Sequence, residues 1–155
     1  MAKLDLALTS EEIDAFLGEQ KTARVATGGP DGDPHVVPLW FVWFDGSMFM
    51  NSTRGNVTVE NLRRSPNVAA VCDDGETYDD LRGVVVRGPV AEAGDDRRIP
   101  DVEHRWSAKY LAGNPVPFAT WRNRVWLRLD PVAVRSWDFR KIPGARVTKR
   151  AAKRG

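Results

Sequence analysis

The sequence predicts a mainly β fold, an antiparallel barrel of six to seven strands with peripheral α-helices. Three observations carry that prediction. Apolar alternation with a period of two sets in at Thr22. The strand-like runs that follow are joined by short turn signals, Pro30-Asp31-Gly32 and Asp45-Gly46, which favour antiparallel pairing. No long helical segment regularly separates them, as a parallel βαβ sheet requires.

The elements follow in order. Thr9-Ser10-Glu11-Glu12 is a capping box, and Ile13, Phe16 and Leu17 continue at helical spacing, so residues 10–20 read as an amphipathic helix. In the first strand Ala23, Val25 and Thr27 alternate with Thr22, Arg24 and Ala26. Residues 35–44 form a second strand, rich in β-branched and aromatic side chains, and Pro38 within it implies an edge or a bulge. Residues 47–51 are a short third strand. The segment VTVENLRR, 57–64, is a short helix of poor intrinsic propensity, ended by Ser65-Pro66. Residues 67–73 are a strand, and 83–93 a longer one with a bulge expected at Gly88-Pro89. Pro100 suits the first turn of a helix running to about Leu111. Residues 124–130 and 132–138 are the last strands, parted by Pro131.

At 155 residues the chain is long enough for one domain with a full core, assigned to residues 1–145, followed by a basic tail, 146–155. The tail carries Arg146, Lys149, Arg150, Lys153 and Arg154. It reads as a solvated end or as an arm for a polyanionic ligand. The net charge of +2 is too small to imply nucleic acid. No apolar run reaches the roughly 20 residues of a membrane span. The segment Met1 to Leu6 lacks a signal-peptide core, and the single cysteine, Cys72, suits a reducing compartment, so a cytoplasmic protein is expected. Cys72 reads as a buried thiol at a strand end.

Catalytic constellations are scarce. With His35 and His104 the only histidines, no metal-ligand spacing occurs, and no metal is expected. There is no nucleophile elbow, P-loop or Rossmann glycine pattern. Chemistry carried by a bound cofactor is the option left. The polar loop Asn51-Ser52-Thr53-Arg54-Gly55-Asn56, just before a helix start, offers a place for a phosphate.

The stretches ARVATGGPDGDPHVVPLWFVW and STRGN…NLRRSPNVAAV, with DDGETYDDLRGVVVRGPVAE and RSWDFRKIPG, resemble the B-type flavin/deazaflavin oxidoreductases. These belong to the pyridoxamine 5′-phosphate oxidase-like split β-barrel superfamily. The resemblance spans residues 10–144. It implies a homodimer with cofactor sites at the subunit interface, a small-molecule substrate, and FMN or the deazaflavin coenzyme F-420 as cofactor. It places the cofactor phosphate on Ser52, Thr53, Arg54, Asn56, Thr58 and Asn61. The resemblance implies lysine where this chain has Thr58, and often arginine or serine at Asn56, so one or two phosphate cations are missing and Arg54 is left to supply the charge. Pro38, Leu39 and Trp40 are implied to lie along the ring, with core packing the alternative for Trp40 and Trp43. Trp137, Arg140 and Lys141 are implied to approach the cofactor from the partner subunit, with a core Trp and surface cations the alternative. His35 reads as a surface or hairpin residue. Tyr78 is the best proton-donor candidate of a loop that otherwise reads as solvated charge.

Three functions are consistent with these readings. One is an oxidoreductase that uses reduced F-420 to pass a hydride to a small electron-poor acceptor. The second is an FMN-dependent oxidase or reductase of the same fold. The third is a non-catalytic carrier of a flavin, haem or lipid-like ligand.

Overall fold

The computed structural model describes residues 4–144. The basic tail, 146–155, lies outside the described residues. Helix α1 (Ser10–Glu19) precedes strands β1 (Thr22–Gly28), β2 (Pro34–Phe44) and β3 (Ser47–Thr53). Helix α2 (Val57–Arg64) leads to β4 (Asn67–Asp74) and β5 (Arg82–Glu92), and α3 (Ile99–Tyr110) to β6 (Arg124–Leu129) and β7 (Ala133–Asp138). The strand order is β4-β1-β2-β3-β6-β5-β7, and β4 also pairs with β5. That extra pairing closes six strands into an antiparallel barrel and leaves β7 outside, on β5.

Two long strands build the closure. The first part of β2, residues 34–40, pairs with β1, and residues 41–44 pair with β3. Likewise β5 pairs with β4 over residues 82–89 and with β6 over 90–92. Each strand therefore serves two sheets. At Gly88-Pro89 the pairing passes from one neighbour to the other with no residue skipped, where a bulge was expected. The glycine is needed for another reason: a Cβ on Gly88 would strike the carbonyl oxygen of Asp130.

The core has two parts. Phe16 and Leu17 from α1, Ala23 and Val25 from β1, and Met48 and Met50 from β3 fill the barrel. Phe49, on the opposite face of β3, joins Val102 and Trp106 of α3 and Trp126 of β6 in a second cluster outside it. The period of two in a strand produces this division. The capping box on α1 forms as the sequence implies, Thr9 Oγ1 accepting from Glu12 N–H and Glu12 Oε2 from Thr9 N–H. Helix α2 forms despite its propensity because Val59 and Leu62 are buried in the barrel core.

The segment entering α3 is fixed by charge. Asp96 accepts from Arg98 through side chain and backbone, and from Arg128 of β6 at 2.6 Å. These hydrogen bonds, Arg98 first, hold its carboxyl well below the usual carboxylate range. A carboxyl depressed on folding stabilises above its unfolded pKa of about 3.9 and loses that contribution as pH falls toward the folded value. Asp96→Asn should destabilise the fold by about 2 kcal/mol at neutral pH, the scale of hydrogen bonds to charged groups. Urea unfolding across pH should show the gap between wild type and variant constant above about pH 4 and narrowing below it.

Candidate functional site

Beyond Phe41 and its partner Met50, strands β2 and β3 part. Residues 34–40 of β2 keep β1 as their neighbour, while residues 51–53 of β3 pair with β6. A cavity of about 400 Å³ opens beside this divergence. That size lies in the range of small-molecule sites. Pro38, Leu39 and Trp40 of β2 line it, facing Trp106 of α3 and Phe118 and Trp121 from the connection to β6. Asn51 of β3 and Arg124 of β6 supply its polar groups. Among the described lining residues there is no carboxylate, histidine, cysteine or lysine.

The walls are preorganised aromatic surface. Trp40 stacks on Tyr110 with centroids 4.4 Å apart and planes 4° from parallel. Trp106 meets Trp126 edge to face at 5.2 Å, and the Arg124 guanidinium lies 4.9 Å from the Trp121 ring centroid. Trp40 is nonetheless 49% exposed. The Tyr110 hydroxyl accepts from Phe41 N–H and faces the carbonyls of Phe41 and Lys21, so it is engaged in holding the backbone where β2 leaves β3. Burial pushes its pKa up, which keeps it neutral.

Asn51 is the unsatisfied group. It is only 7% exposed, and neither its Nδ2 nor its Oδ1 has a hydrogen-bond partner. Among the described residues no other buried side-chain polar atom is in that position. Buried groups left unpaired cost about 1–3 kcal/mol each. Asn51 belongs to the polar loop 51–56 but is not one of the residues that the family resemblance implies for the cofactor. Strand alternation carried the signal, because Asn51 continues the Phe49 face of β3, which packs toward α3.

The predicted phosphate loop follows directly. Asn56 caps α2, its Oδ1 accepting from Val59 N–H at 2.9 Å and its Nδ2 donating to the buried Ser52 Oγ at 2.8 Å. The Thr53 carbonyl accepts from Asn56 N–H. Thr58 is buried with its Oγ1 3.4 Å from His35 Nε2, so His35 is a neighbour of the loop as well as a hairpin residue. Both ends of the buried Asn61 amide are used, Nδ2 donating to Thr27 and Oδ1 accepting from Arg64. Arg54 donates to both carboxylate oxygens of Glu92, at 3.0 and 3.2 Å.

The remaining candidates lie elsewhere on this chain. Trp137 packs against Gly83, where any Cβ would strike its indole. Arg140 is bound to Asp138, and Lys141 to Glu12 and the Ala7 carbonyl. Tyr78 is 68% exposed, with its ring 4.9 Å from that of Phe139. None of the four lines the cavity of its own chain. Cys72 is wholly buried, and burial pushes its thiol up to about 12, as an inert structural thiol requires.

Residues 9–138 match the pyridoxamine 5′-phosphate oxidase family. The chain belongs to that family. A conserved hypothetical protein, Rv2991, from Mycobacterium tuberculosis superposes with a TM-score of 0.80 at 29% identity over 91% of both chains. A FAD-binding protein from Mesorhizobium loti superposes at 0.67 with 25% identity, over 84% of this chain and 93% of its own. An F-420 reductase shares the fold at 0.58 with 23% identity, over 78% of this chain and 94% of its own. The comparison with curated proteins found no match. Among the described residues no helix is long and apolar enough to cross a membrane.

Within this family fold the Asn51 amide is a local cost in the ligand-free chain. Replacing it by an apolar side chain of similar size removes that cost. Asn51→Leu should therefore raise the unfolding free energy of the ligand-free protein by about 1 kcal/mol. Urea titration should show a higher midpoint with an unchanged slope, and a lower midpoint would place a partner on Asn51.

Proposed function

We propose that the protein is an oxidoreductase that binds reduced F-420 and passes its hydride to a small electron-poor acceptor. One observation carries the reading: Asn51, which lines the aromatic cavity, is followed in the chain by Ser52, whose Oγ accepts from the Asn56 side chain at the start of α2. A flat ring and a phosphate joined by a short chain need that succession of surfaces. The residues present fit such a group, since aromatic walls accept the faces of a planar heterocycle and the free Asn51 amide accepts its polar edge. The cofactor supplies the hydride chemistry when bound. The chain holds donor and acceptor together and keeps water from the aromatic walls. A cavity without carboxylate, histidine, cysteine or lysine is suited to hydride transfer, which needs no nucleophile from the protein.

The phosphate would lie on Ser52, Thr53, Asn56 and Thr58, with Arg54 as its cation. Arg54 is engaged by Glu92, but both side chains are nearly half exposed. Such a pair is worth about 0–1 kcal/mol, less than a charge-assisted bond to phosphate, so an arriving anion displaces it. His35, beside Thr58, is the nearest group able to compensate for the missing lysine. Asn61 would act by holding the loop's helix in place.

Homodimerisation completes the proposal. Val36, Trp40, Val57 and Trp121 are exposed apolar side chains on the cavity strand and its surroundings. A second copy would cover them and bring its own Trp137, Arg140 and Lys141 toward the ligand. The reading also keeps the protein in the cytoplasm, consistent with its single thiol.

For the loop, Arg54→Ala should weaken cofactor binding by about 1.5–3 kcal/mol, and Glu92→Gln should tighten it by no more than about 1 kcal/mol. Fluorescence titration measures both, and two unchanged dissociation constants would remove the ligand from this loop.

For the cofactor, F-420 should bind more tightly than FMN, because a compact phosphate depends most on the cation absent at Thr58. The polyglutamate tail of F-420 gains from spread positive charge, including the tail 146–155, so its affinity should fall as salt rises. Parallel titrations at low and high salt distinguish the cofactors, and tighter FMN binding would promote the flavin enzyme. Binding of either without reduction of quinone, enone or nitro acceptors would promote the carrier. Sedimentation should give a dimer at micromolar concentration, and a monomer there would remove the shared site.

A further inference from the structure

We propose that Asn51 is a specificity-determining residue that pairs edge to edge with an N–H/C=O group on the ring of the bound cofactor. The inference rests on the functional reading above and adds the chemistry by which the ring is recognised. Asn51 is nine-tenths buried, it lines the cavity, and both its polar atoms lack partners. A primary amide presents a donor beside an acceptor in one plane. Its complement is an acceptor beside a donor, which is the edge of a lactam or an imide. The assignment does not depend on which way the amide is turned, because either orientation offers the same pair in reverse order.

The surroundings restrict the ligand further. Trp40, Trp106, Phe118 and Trp121 give the cavity aromatic surfaces, so what reaches Asn51 is planar and apolar on its faces. A ring with flat apolar faces and an imide edge describes the pyrimidinedione end of flavins and deazaflavins, where one N–H stands between two carbonyls. A haem or a lipid-like ligand has no such edge. Asn51 leads in the chain to Ser52 and the loop proposed above for the cofactor phosphate, and on that reading the edge is assigned to the cofactor.

The recognition is directional, so its test is the N–H itself. FMN and F-420, each with its derivative methylated at the imide nitrogen, are titrated by fluorescence against wild type and Asn51→Leu. Methylation removes the donor and leaves Oδ1 or its equivalent unpaired. It should weaken binding to wild type by about ten-fold or more, and binding to Asn51→Leu by less than about two-fold. The parent cofactors should bind Asn51→Leu more weakly than wild type. If neither parent binds wild type, the functional reading falls and this inference with it. If the parents bind and methylation costs wild type less than about two-fold, the functional reading stands and the pairing is overturned, whatever the fate of the variant. An equal methylation penalty in wild type and Asn51→Leu would assign the effect to steric size and overturn it as well.

Discussion

The site exists because β2 cannot stay paired with β3 along its whole length. The two strands run together from their turn as far as Phe41 and Met50, then β2 follows β1 while β3 follows β6. A continuous pairing would have closed the wall. The parting leaves the edge of residues 34–40 without a strand neighbour on one side, and α3 cannot fill the space because a helix does not pair with a strand edge. Side chains cover the gap instead. Tyr110 binds the Phe41 backbone at the point of divergence and its ring supports Trp40. Pro38, which has no N–H to leave unpaired, sits where a partner strand is missing.

The second core explains why the gap is apolar. Phe49, Val102, Trp106 and Trp126 pack α3 onto the outer face of β3 and β6. The cavity is the continuation of that packing, and it shares Trp106 and Phe118 with it. A ligand there meets surfaces already fixed by the fold, so little ordering entropy is lost on binding. The Asp96 network serves the same end, because it fixes the entry to α3 against β6 and through it the position of Trp106.

Much of this was legible in the chain. Period-two patterning and the turn signals pointed to six to seven strands, antiparallel pairing and the barrel, and of the edge or bulge that Pro38 implied it is the edge that forms. The loop 51–56 stood out because polar residues crowd a helix start. Other features depend on contacts between distant segments. Gly88 looked like a bulge, yet it is a glycine because Asp130 passes close to it. Trp106, Trp121 and Arg124 stand far from β2 in sequence, and only the fold brings them to the cavity. Arg54 is the cation that the sequence leaves for a phosphate, and folding places Glu92, from the end of β5, beside it.

That last pairing tempers the charge of the loop before α2. Glu92 lies within ion-pair distance of both Arg54 and Arg63, and Glu60 pairs with Arg63 as well, so the four exposed charges balance. The arrangement keeps two guanidinium groups from repelling each other in the ligand-free chain. It also holds them close to the loop with an attraction that water and salt already weaken. Under the proposed function a doubly charged phosphate competes with the singly charged Glu92 carboxylate for the Arg54 guanidinium. Thr58 is neutral, so a phosphate placed on this loop under the proposed function draws its positive charge from Arg54, and the pairing of Arg54 with Glu92 ties that charge to the β5 terminus.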